Sequence, residues 1–212
     1  MRNLTKTLLI ALLIALPLTH ANGQSANDFD FGTWTKVGIK APIAEKLSAT
    51  VDLELRTQDM VTKVNTTRAH FILGYSFNKY FKVAAAYSPI LSGSSVWKHR
   101  YTIDATGSVK ISKVSLSLRE RWQQTFTDGV ADTRLRSQLQ AKLSTNSIFK
   151  PYISVEPHLS LINKSGMPEC RFTAGTDMAF DKHNSLQLFL VFTHQPKKND
   201  HLNLGVTYYY SF

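Results

Sequence analysis

Arginine is the residue type whose placement in this sequence most suggests chemistry. Eight arginines occupy polar positions in segments where polar and apolar residues alternate: Arg56, Arg68, Arg100, Arg119, Arg121, Arg134, Arg136 and Arg171. A guanidinium binds a carboxylate or a phosphate through two parallel hydrogen bonds, and a surface with surplus arginine concentrates anions. The pattern therefore predicts a polar face that contacts small anionic solutes or the protein's own carboxylates.

Acidic residues and one histidine share these polar positions: Asp52, Glu54, Glu156 and His158. If the acids neutralise the arginines, the polar face forms a salt-bridged plug that fills a narrow interior. If arginine stays in excess, the same face lines a narrow pore for small anions. The residues alone leave both interpretations open.

Residue types for covalent catalysis occur around His158, but their spacing does not build a site. Ser154, Glu156 and Ser160 lie two or four residues from this histidine, and on a strand that spacing merely puts them on one face. Nothing in the sequence supplies an oxyanion hole. We therefore expect no catalytic residues. The alternative is an outer-membrane enzyme that modifies lipid or lipopolysaccharide.

Sequence patterns for metals and cofactors are missing. No His/Cys spacing suits zinc, no acidic loop suits calcium, and no glycine-rich loop suits a phosphate-bearing cofactor. We expect neither a metal nor a cofactor. The formal net charge of +10 is compatible with nucleic acid, but arginines spread over many strands of an exported chain argue against that partner.

The spacing of the basic residues predicts how neighbouring strands face each other. A hairpin turn centred at Thr127-Asp128 places Arg119 opposite Arg136 and Arg121 opposite Arg134. Like charges directly opposite each other are unfavourable, so carboxylates must compensate for them.

Glu156 and Asp52 are the acids that we expect to compensate. A turn near residue 146 places His158 opposite Arg136 and brings Glu156 close to the arginines. The loop near residue 60 brings Asp52 to Arg68.

Two-residue alternation is the pattern that positions all these side chains. It is clearest in Leu47–Arg56, where five apolar residues alternate with polar ones, and it recurs to the end of the chain in about eleven segments of ten or more residues. Soluble strands are usually shorter, whereas a tilted membrane-spanning strand needs about 9–11 residues. The sequence predicts an all-β fold, an antiparallel transmembrane β-barrel with an apolar outside and a polar, arginine-rich lumen.

Because bacterial barrels have even strand numbers, we expect ten strands, omitting the segment around Trp34, or twelve. A soluble periplasmic lipid-binding β-barrel remains an alternative.

Aromatic residues fall at the two ends of the expected strands, as at the interfaces of an outer-membrane barrel. One set is Tyr75, Phe77, Tyr80, Phe81, Phe180, Tyr208, Tyr210 and Phe212, and the other is Trp97, Tyr101, Trp122, Phe172 and Phe192. The alternating terminus Tyr208, Tyr210, Phe212 resembles the insertion signal that the barrel-insertion machinery reads.

The first residues have the layout of a secretory signal peptide. Arg2 and Lys6 precede the apolar run Leu8–Leu18, and cleavage fits after Ala21 or Gly23. We expect residues 1–23 to be removed and residues 24–212 to form the barrel. Losing the two basic residues lowers the formal charge from +10 to +8. The expected location is the outer membrane of a Gram-negative bacterium, with outer-membrane lipid and lipopolysaccharide as partners.

The order of several short motifs resembles a known family. The motifs are Trp34, Leu53-Glu54-Leu55-Arg56, Gly74-Tyr75, His99-Arg100, Arg119-Glu120-Arg121, Arg134-Leu135-Arg136 and the terminal Tyr208–Phe212. This order is similar to that of the uncharacterised outer-membrane β-barrel proteins of Bacteroidota, catalogued as a domain of unknown function. The resemblance implies a barrel in the outer membrane and implies no activity. Lys98 stands where that family has an acidic residue before His-Arg.

Overall fold

The computed structural model describes residues 29–93, 95–162, 167–196 and 199–212. The expected signal peptide lies outside the described residues. The described chain forms eleven strands: β1 Phe29–Ala44, β2 Leu47–Gln58, β3 Lys63–Ser76, β4 Phe81–Ser92, β5 Val96–Ile111, β6 Val114–Thr127, β7 Val130–Leu143, β8 Phe149–Ser160, β9 Glu169–Ala179, β10 Asn184–His194 and β11 Asp200–Ser211. Among the described residues, no helix is long and apolar enough to span a membrane.

The strands form a closed barrel in which each strand pairs with its sequence neighbours and β1 pairs with β11. Ten of these pairings are antiparallel, and the β1–β11 pairing is parallel, from Phe29 opposite Asp200 to Lys40 opposite Ser211. The prediction of a β-barrel is confirmed. The expectation of ten or twelve strands is wrong, because a parallel seam closes a meander with an odd number of strands. The segment around Trp34 is part of the wall.

The strand faces divide polar from apolar residues in the opposite sense to a soluble protein. Leu53, Ile103 and Ile153 expose 57%, 57% and 65% of their surface, whereas Asp52 and His158 expose only 2% each. Because successive side chains of a strand point to opposite faces, this burial pattern assigns the polar face of each alternating segment to the interior of the barrel. The apolar stripes cover its outside.

The two ends of the barrel are defined by the chain termini. At the N-terminal rim, where β1 begins, the connections are those from β2 to β3, β4 to β5, β6 to β7, β8 to β9 and β10 to β11. At the C-terminal rim, where β11 ends, they are residues 45–46, 77–80, 112–113, 144–148 and 180–183. The aromatic rings of Tyr75, Phe77 and Phe81 contact one another in series at the C-terminal rim, as do those of Tyr210 and Phe212.

A two-residue turn sets the register between β6 and β7. Asp128 and Gly129 both have positive φ values, 50° and 79°, as a type I′ turn requires at both central positions. This turn places Arg121 opposite Arg136. The predicted opposition of Arg119 to Arg136 and of Arg121 to Arg134 is therefore wrong, because the turn is centred one residue later than expected.

A β-bulge changes the register between β2 and β3. The pairing shifts between Arg56 and Thr57. From this point toward the start of β2, Glu54 faces Arg68 and Asp52 faces His70. An extra residue on one strand displaces every pair beyond it. The expectation that Asp52 meets Arg68 is wrong for two reasons: the turn is centred half a residue later than expected, with Gln58 opposite Lys63, and the bulge then shifts the register by one further position, so that Glu54 takes that place.

One acidic residue lies on the apolar outside. Glu120 is near the middle of β6 and pairs with Ser137 of β7. The Ser137 hydroxyl donates a hydrogen bond of 2.6 Å to the Glu120 carboxylate. This pair interrupts the apolar band at mid-height.

Candidate functional site

Three cavities are stacked along the interior. The central cavity has a volume of about 390 Å³. The N-terminal cavity, of about 250 Å³, is lined by Thr66, Ser92 and Thr127 near that rim. The C-terminal cavity, of about 290 Å³, is lined by Lys40, Lys142, Lys150 and Asp177, among others. All twelve lumen candidates from the sequence line the central or the N-terminal cavity: Arg56, Arg68, Arg100, Arg119, Arg121, Arg134, Arg136, Arg171, Asp52, Glu54, Glu156 and His158.

The residues that line both the central and the N-terminal cavity are all arginines. We call this set the arginine ring, and it consists of Arg56, Arg68, Arg100, Arg136 and Arg171. Its members come from five different strands, β2, β3, β5, β7 and β9. The barrel therefore has a guanidinium-lined boundary between its central and its N-terminal cavity.

Trp34 contacts two members of the arginine ring. The guanidinium carbon of Arg56 lies 3.7 Å from the centroid of the Trp34 ring system, and that of Arg171 lies 5.2 Å from it. Both distances are within the range of a cation–π contact. The indole thus connects arginines from β2 and β9 through the interior.

Glu54 is one of the carboxylates on the side of the interior formed by β1, β2 and β3. It accepts hydrogen bonds from Arg56 and, at 2.6 Å, from Arg68 Nη2. Lys36 Nζ lies 3.3 Å from its other oxygen. Glu54 is only 4% exposed, so three basic side chains share one buried carboxylate.

Asp52 lies next to this group with different partners. The Tyr209 hydroxyl donates a hydrogen bond of 2.8 Å to Asp52 Oδ2. Lys36 Nζ lies 3.8 Å from Oδ1. The hydrogen bond from Tyr209 to Asp52 joins β11 to β2 across the closing seam of the barrel.

Glu156 is the central carboxylate of the opposite wall. Its two oxygens each accept a hydrogen bond of 2.8 Å, from Arg119 Nη2 and from Arg136 Nη2. Arg136 also donates to the Gln123 side chain at 2.9 Å. The observed register places His158 opposite Arg136, as expected from the sequence. Glu156 therefore bridges arginines of β6 and β7.

Glu169 supplies a third acidic group close to the N-terminal rim. Arg171 Nη2 forms an ion pair with its Oε1 at 2.6 Å. Arg134 Nη1 lies 3.5 Å from Oε2, and His158 Nδ1 lies 3.1 Å from Oε1. This carboxylate is again shared among several basic groups.

Arg121 and Arg100 lie on the same wall and differ sharply in their partners. Arg121 makes a bidentate pair with Asp104, with distances of 2.6 and 2.5 Å. Arg100 donates through Nε to the Thr125 hydroxyl at 3.0 Å. Among the residues that the structure describes, no carboxylate lies within ion-pair distance of Arg100.

The hydrolase arrangement considered around His158 does not form. Its two ring nitrogens lie 3.1 and 3.5 Å from carboxylate oxygens of Glu169 and Glu156. The Ser154 hydroxyl accepts a hydrogen bond from Gln138 at 3.4 Å. The histidine therefore faces two acids and takes part in the ionic network.

A serine–histidine contact that the sequence analysis missed lies elsewhere. Ser88 Oγ is 2.9 Å from His70 Nδ1, and His70 Nε2 lies 3.8 Å from Asp52 Oδ1. Ser88 is only 1% exposed, although it lines the central cavity together with His70 and Asp52. The pairing of β3 with β4 would have predicted this contact, because it brings polar positions of the two strands together.

Other interior residues were also missed by sequence reasoning. They are Lys36, Asp104, Gln123, Glu169, Asp177 and Tyr209. Asp104 and Asp177 lie on polar positions of alternating segments, so the alternation itself was the available signal. Tyr209 meets Asp52 only because the barrel closes between β1 and β11, whereas Lys36 meets it through the pairing of β1 with β2. Within the described part of the chain, no group of three potential ligands could hold a metal ion.

The terminal residues of the expected insertion signal lie on the last strand. Tyr208 and Tyr210 are on β11, and Phe212 follows it. The Tyr208 hydroxyl donates to Asn184 at 2.5 Å, and the Tyr210 ring stacks near His183. Phe212 is 68% exposed.

Residues 31–203 match the protein family described as "Protein of unknown function (DUF2490)". The match covers well over half of the chain. The chain belongs to the DUF2490 family. This assignment confirms the expected domain-of-unknown-function family, whereas a Bacteroidota source and an outer-membrane location remain predictions. No curated protein matches this DUF2490 chain.

One solved structure similar to the DUF2490 barrel is described as "Bacterial polysaccharide outer membrane secretin". The two chains are 12% identical, with a TM-score of 0.49. The similarity covers 76% of the DUF2490 chain and 63% of the secretin chain, so it spans less than two thirds of that protein.

Proposed function

We propose that this DUF2490 protein is a non-enzymatic β-barrel of the bacterial outer membrane whose interior admits small anions. The observation that carries the proposal is the distribution of side chains in the wall. Buried positions hold Asp52, Glu54, Arg68, Arg136 and other charged residues, while large aliphatic side chains are exposed. Such a wall is stable where the surroundings are hydrocarbon and the interior is wet.

The dimensions of the strands support the same placement. The described strands contain 11–16 residues, and a tilted strand needs about 9–11 to cross the hydrocarbon core. The Tyr75–Phe77–Phe81 series and the Tyr210–Phe212 pair give the C-terminal rim the aromatic character of a membrane interface. A soluble lipid-binding barrel would have its apolar stripes inside, which is the reverse of the observed burial.

The charge of the interior favours anions over cations. Eight lysine and arginine residues line the central cavity: Lys36, Arg56, Arg68, Arg100, Arg119, Arg121, Arg136 and Arg171. Four acidic residues line it: Asp52, Glu54, Asp104 and Glu156. A confined surface with this excess raises the local concentration of anions and repels cations.

Non-enzymatic action is part of the proposal because the nucleophile candidates are poorly placed. Both nitrogens of His158 face carboxylates, and Ser88 is almost completely buried. A hydrolytic site needs an accessible nucleophile beside its base and a nearby oxyanion site.

The first test is whether the folded protein behaves as a membrane barrel. Refolded protein should migrate faster on an unboiled gel than on a boiled one, and should float with lipid vesicles in a density gradient. Protein that folds in plain buffer without detergent or lipid would contradict the outer-membrane placement.

The second test is conductance in a planar bilayer. Anion-selective openings that weaken when Arg119, Arg121, Arg134 and Arg136 are replaced by Gln support passage of small anions. If the fourfold variant does not fold, the single variant Arg121→Gln is measured in its place. Folded, inserted protein that conducts nothing would refute passage, and its ionic network would then act as a structural plug.

A further inference from the structure

We infer that the arginine ring is a binding site for a small doubly charged oxyanion, such as inorganic phosphate or sulfate, which sits at Arg100. The inference rests on the proposed access of small anions to the interior. It adds a defined position and a ligand class to that access.

The first argument is the charge balance of the ring. Its five guanidiniums are accompanied by three carboxylates: Glu54 contacts Arg56 and Arg68, Glu156 contacts Arg136, and Glu169 contacts Arg171. Each carboxylate is shared with a further base outside the ring, namely Lys36, Arg119 or Arg134. The ring therefore carries an excess of at least two positive charges, and an anion with two negative charges balances it.

The second argument is the isolation of Arg100. Its hydrogen bond to the Thr125 hydroxyl is to a neutral group. The neighbouring Arg121 has a bidentate carboxylate partner in Asp104, which shows how the same wall neutralises an arginine when it supplies an acid. Arg100 is left as the member of the ring whose charge the described chain does not neutralise.

The third argument is the set of buried donors that have no acceptor. Arg68, Arg136 and Arg171 each have a buried Nε without a hydrogen-bond partner. Arg68 and Arg136 are both only 7% exposed. Buried donors are normally satisfied, and unsatisfied ones are costly. An oxyanion offers several acceptor oxygens at once, so one ligand can satisfy donors from several strands.

The chemistry of the ring favours an oxyanion over chloride. Guanidinium groups present N–H pairs in a fixed planar fork that matches two oxygens of a phosphate or a carboxylate. A tetrahedral dianion has four oxygens, which can meet forks arriving from several directions. The cavities of about 390 and 250 Å³ on either side of the ring leave room for an ion of this size.

The test measures binding of inorganic phosphate to purified, refolded protein by isothermal titration calorimetry in detergent micelles. Ionic strength is held constant with sodium chloride, so that general screening does not change. We expect saturable binding to one site and at least a tenfold weaker affinity in Arg100→Gln. Lys98→Gln is the matched control, because Lys98 lies on the same strand and the same face, two residues away, and lines only the N-terminal cavity. Its affinity should stay within a factor of two.

Several outcomes are decisive. Folded protein that shows no saturable heat with phosphate or sulfate would overturn the inference, and so would an equal loss of affinity in Arg100→Gln and Lys98→Gln. Glycerol phosphate, tested in parallel, distinguishes free phosphate from a phosphate group carried on a larger solute. Binding of either one that depends on Arg100 supports the site and identifies its source. Gel mobility and vesicle flotation are measured on the same sample, so failure of the membrane proposal is recognised separately.

Discussion

Replacing Glu156 by Gln tests whether the ionic network stabilises the barrel. Glu156 is 5% exposed, and its oxygens accept hydrogen bonds of 2.8 Å from Arg119 and Arg136. The amide keeps one neutral acceptor, loses the second charge-assisted bond and leaves two guanidiniums without their shared carboxylate. A hydrogen bond to a charged group contributes about 1.5–3 kcal/mol, and breaking a buried ion pair on one side costs about 3–5 kcal/mol. We expect a loss of about 3–5 kcal/mol in the free energy of unfolding.

The assay is reversible urea unfolding in lipid vesicles, followed by tryptophan fluorescence. The midpoint should fall without a change in the slope of free energy against urea concentration. Glu45→Gln is the control, because Glu45 is exposed in the turn between β1 and β2, and surface substitutions usually change stability by no more than about 0.5 kcal/mol.

A second variant separates charge imbalance from lost packing. Glu156→Gln combined with Arg119→Gln removes one of the two stranded charges. The double variant should be at least about 1 kcal/mol more stable than the sum of the single effects predicts. A Glu156→Gln protein within about 1 kcal/mol of the parent, or strictly additive effects, would refute the view that this carboxylate holds the arginines in place.

Three further variants test the wall and its end. Gly205→Ala would put a Cβ 2.1 Å from the Phe189 ring, so we expect the free energy of unfolding in urea to fall by about 1–3 kcal/mol. Gly107→Ala is the control and should be neutral, because no atom lies within 4 Å of the added Cβ. Glu120→Leu should raise stability in vesicles by about 1 kcal/mol, because it replaces a carboxylate on the outer face that we propose contacts lipid; a decrease would indicate that this face contacts another protein. Phe212→Ala should lower the fraction of heat-modifiable protein recovered from outer membranes, and an unchanged fraction would argue against a role in insertion.

The sequence by itself determined the strands and which residues share a face. In Leu47–Arg56 the alternation is strict, and the structure exposes Leu53 while it buries Asp52 and Glu54. This information is local, because the two-residue period of a strand assigns each side chain to one face regardless of its neighbours. The same reasoning placed all eight candidate arginines on polar positions.

Tertiary structure decided the strand register and therefore the ionic partners. The centre of the β2–β3 turn and a bulge after Arg56 together place Glu54, and not Asp52, opposite Arg68. The Asp128-Gly129 turn moved the β6–β7 register, so that Arg121 faces Arg136. Register depends on turn geometry, and an error of one residue at the turn centre changes every facing pair beyond it. The Asp-Gly dipeptide was the signal that could have corrected the second case.

The curvature and closure of the barrel determined the contacts between strands that are not neighbours, which the sequence alone could not predict. Arg119 reaches Glu156 past an intervening strand, and Tyr209 reaches Asp52 across the parallel seam of β1 and β11. The arginine ring draws its members from five strands, and Arg100 is isolated among them only because of how those strands are arranged around the interior. Alternation fixes which side of the wall a side chain occupies, whereas contacts across the interior depend on strand number, stagger and closure, which are properties of the whole sheet.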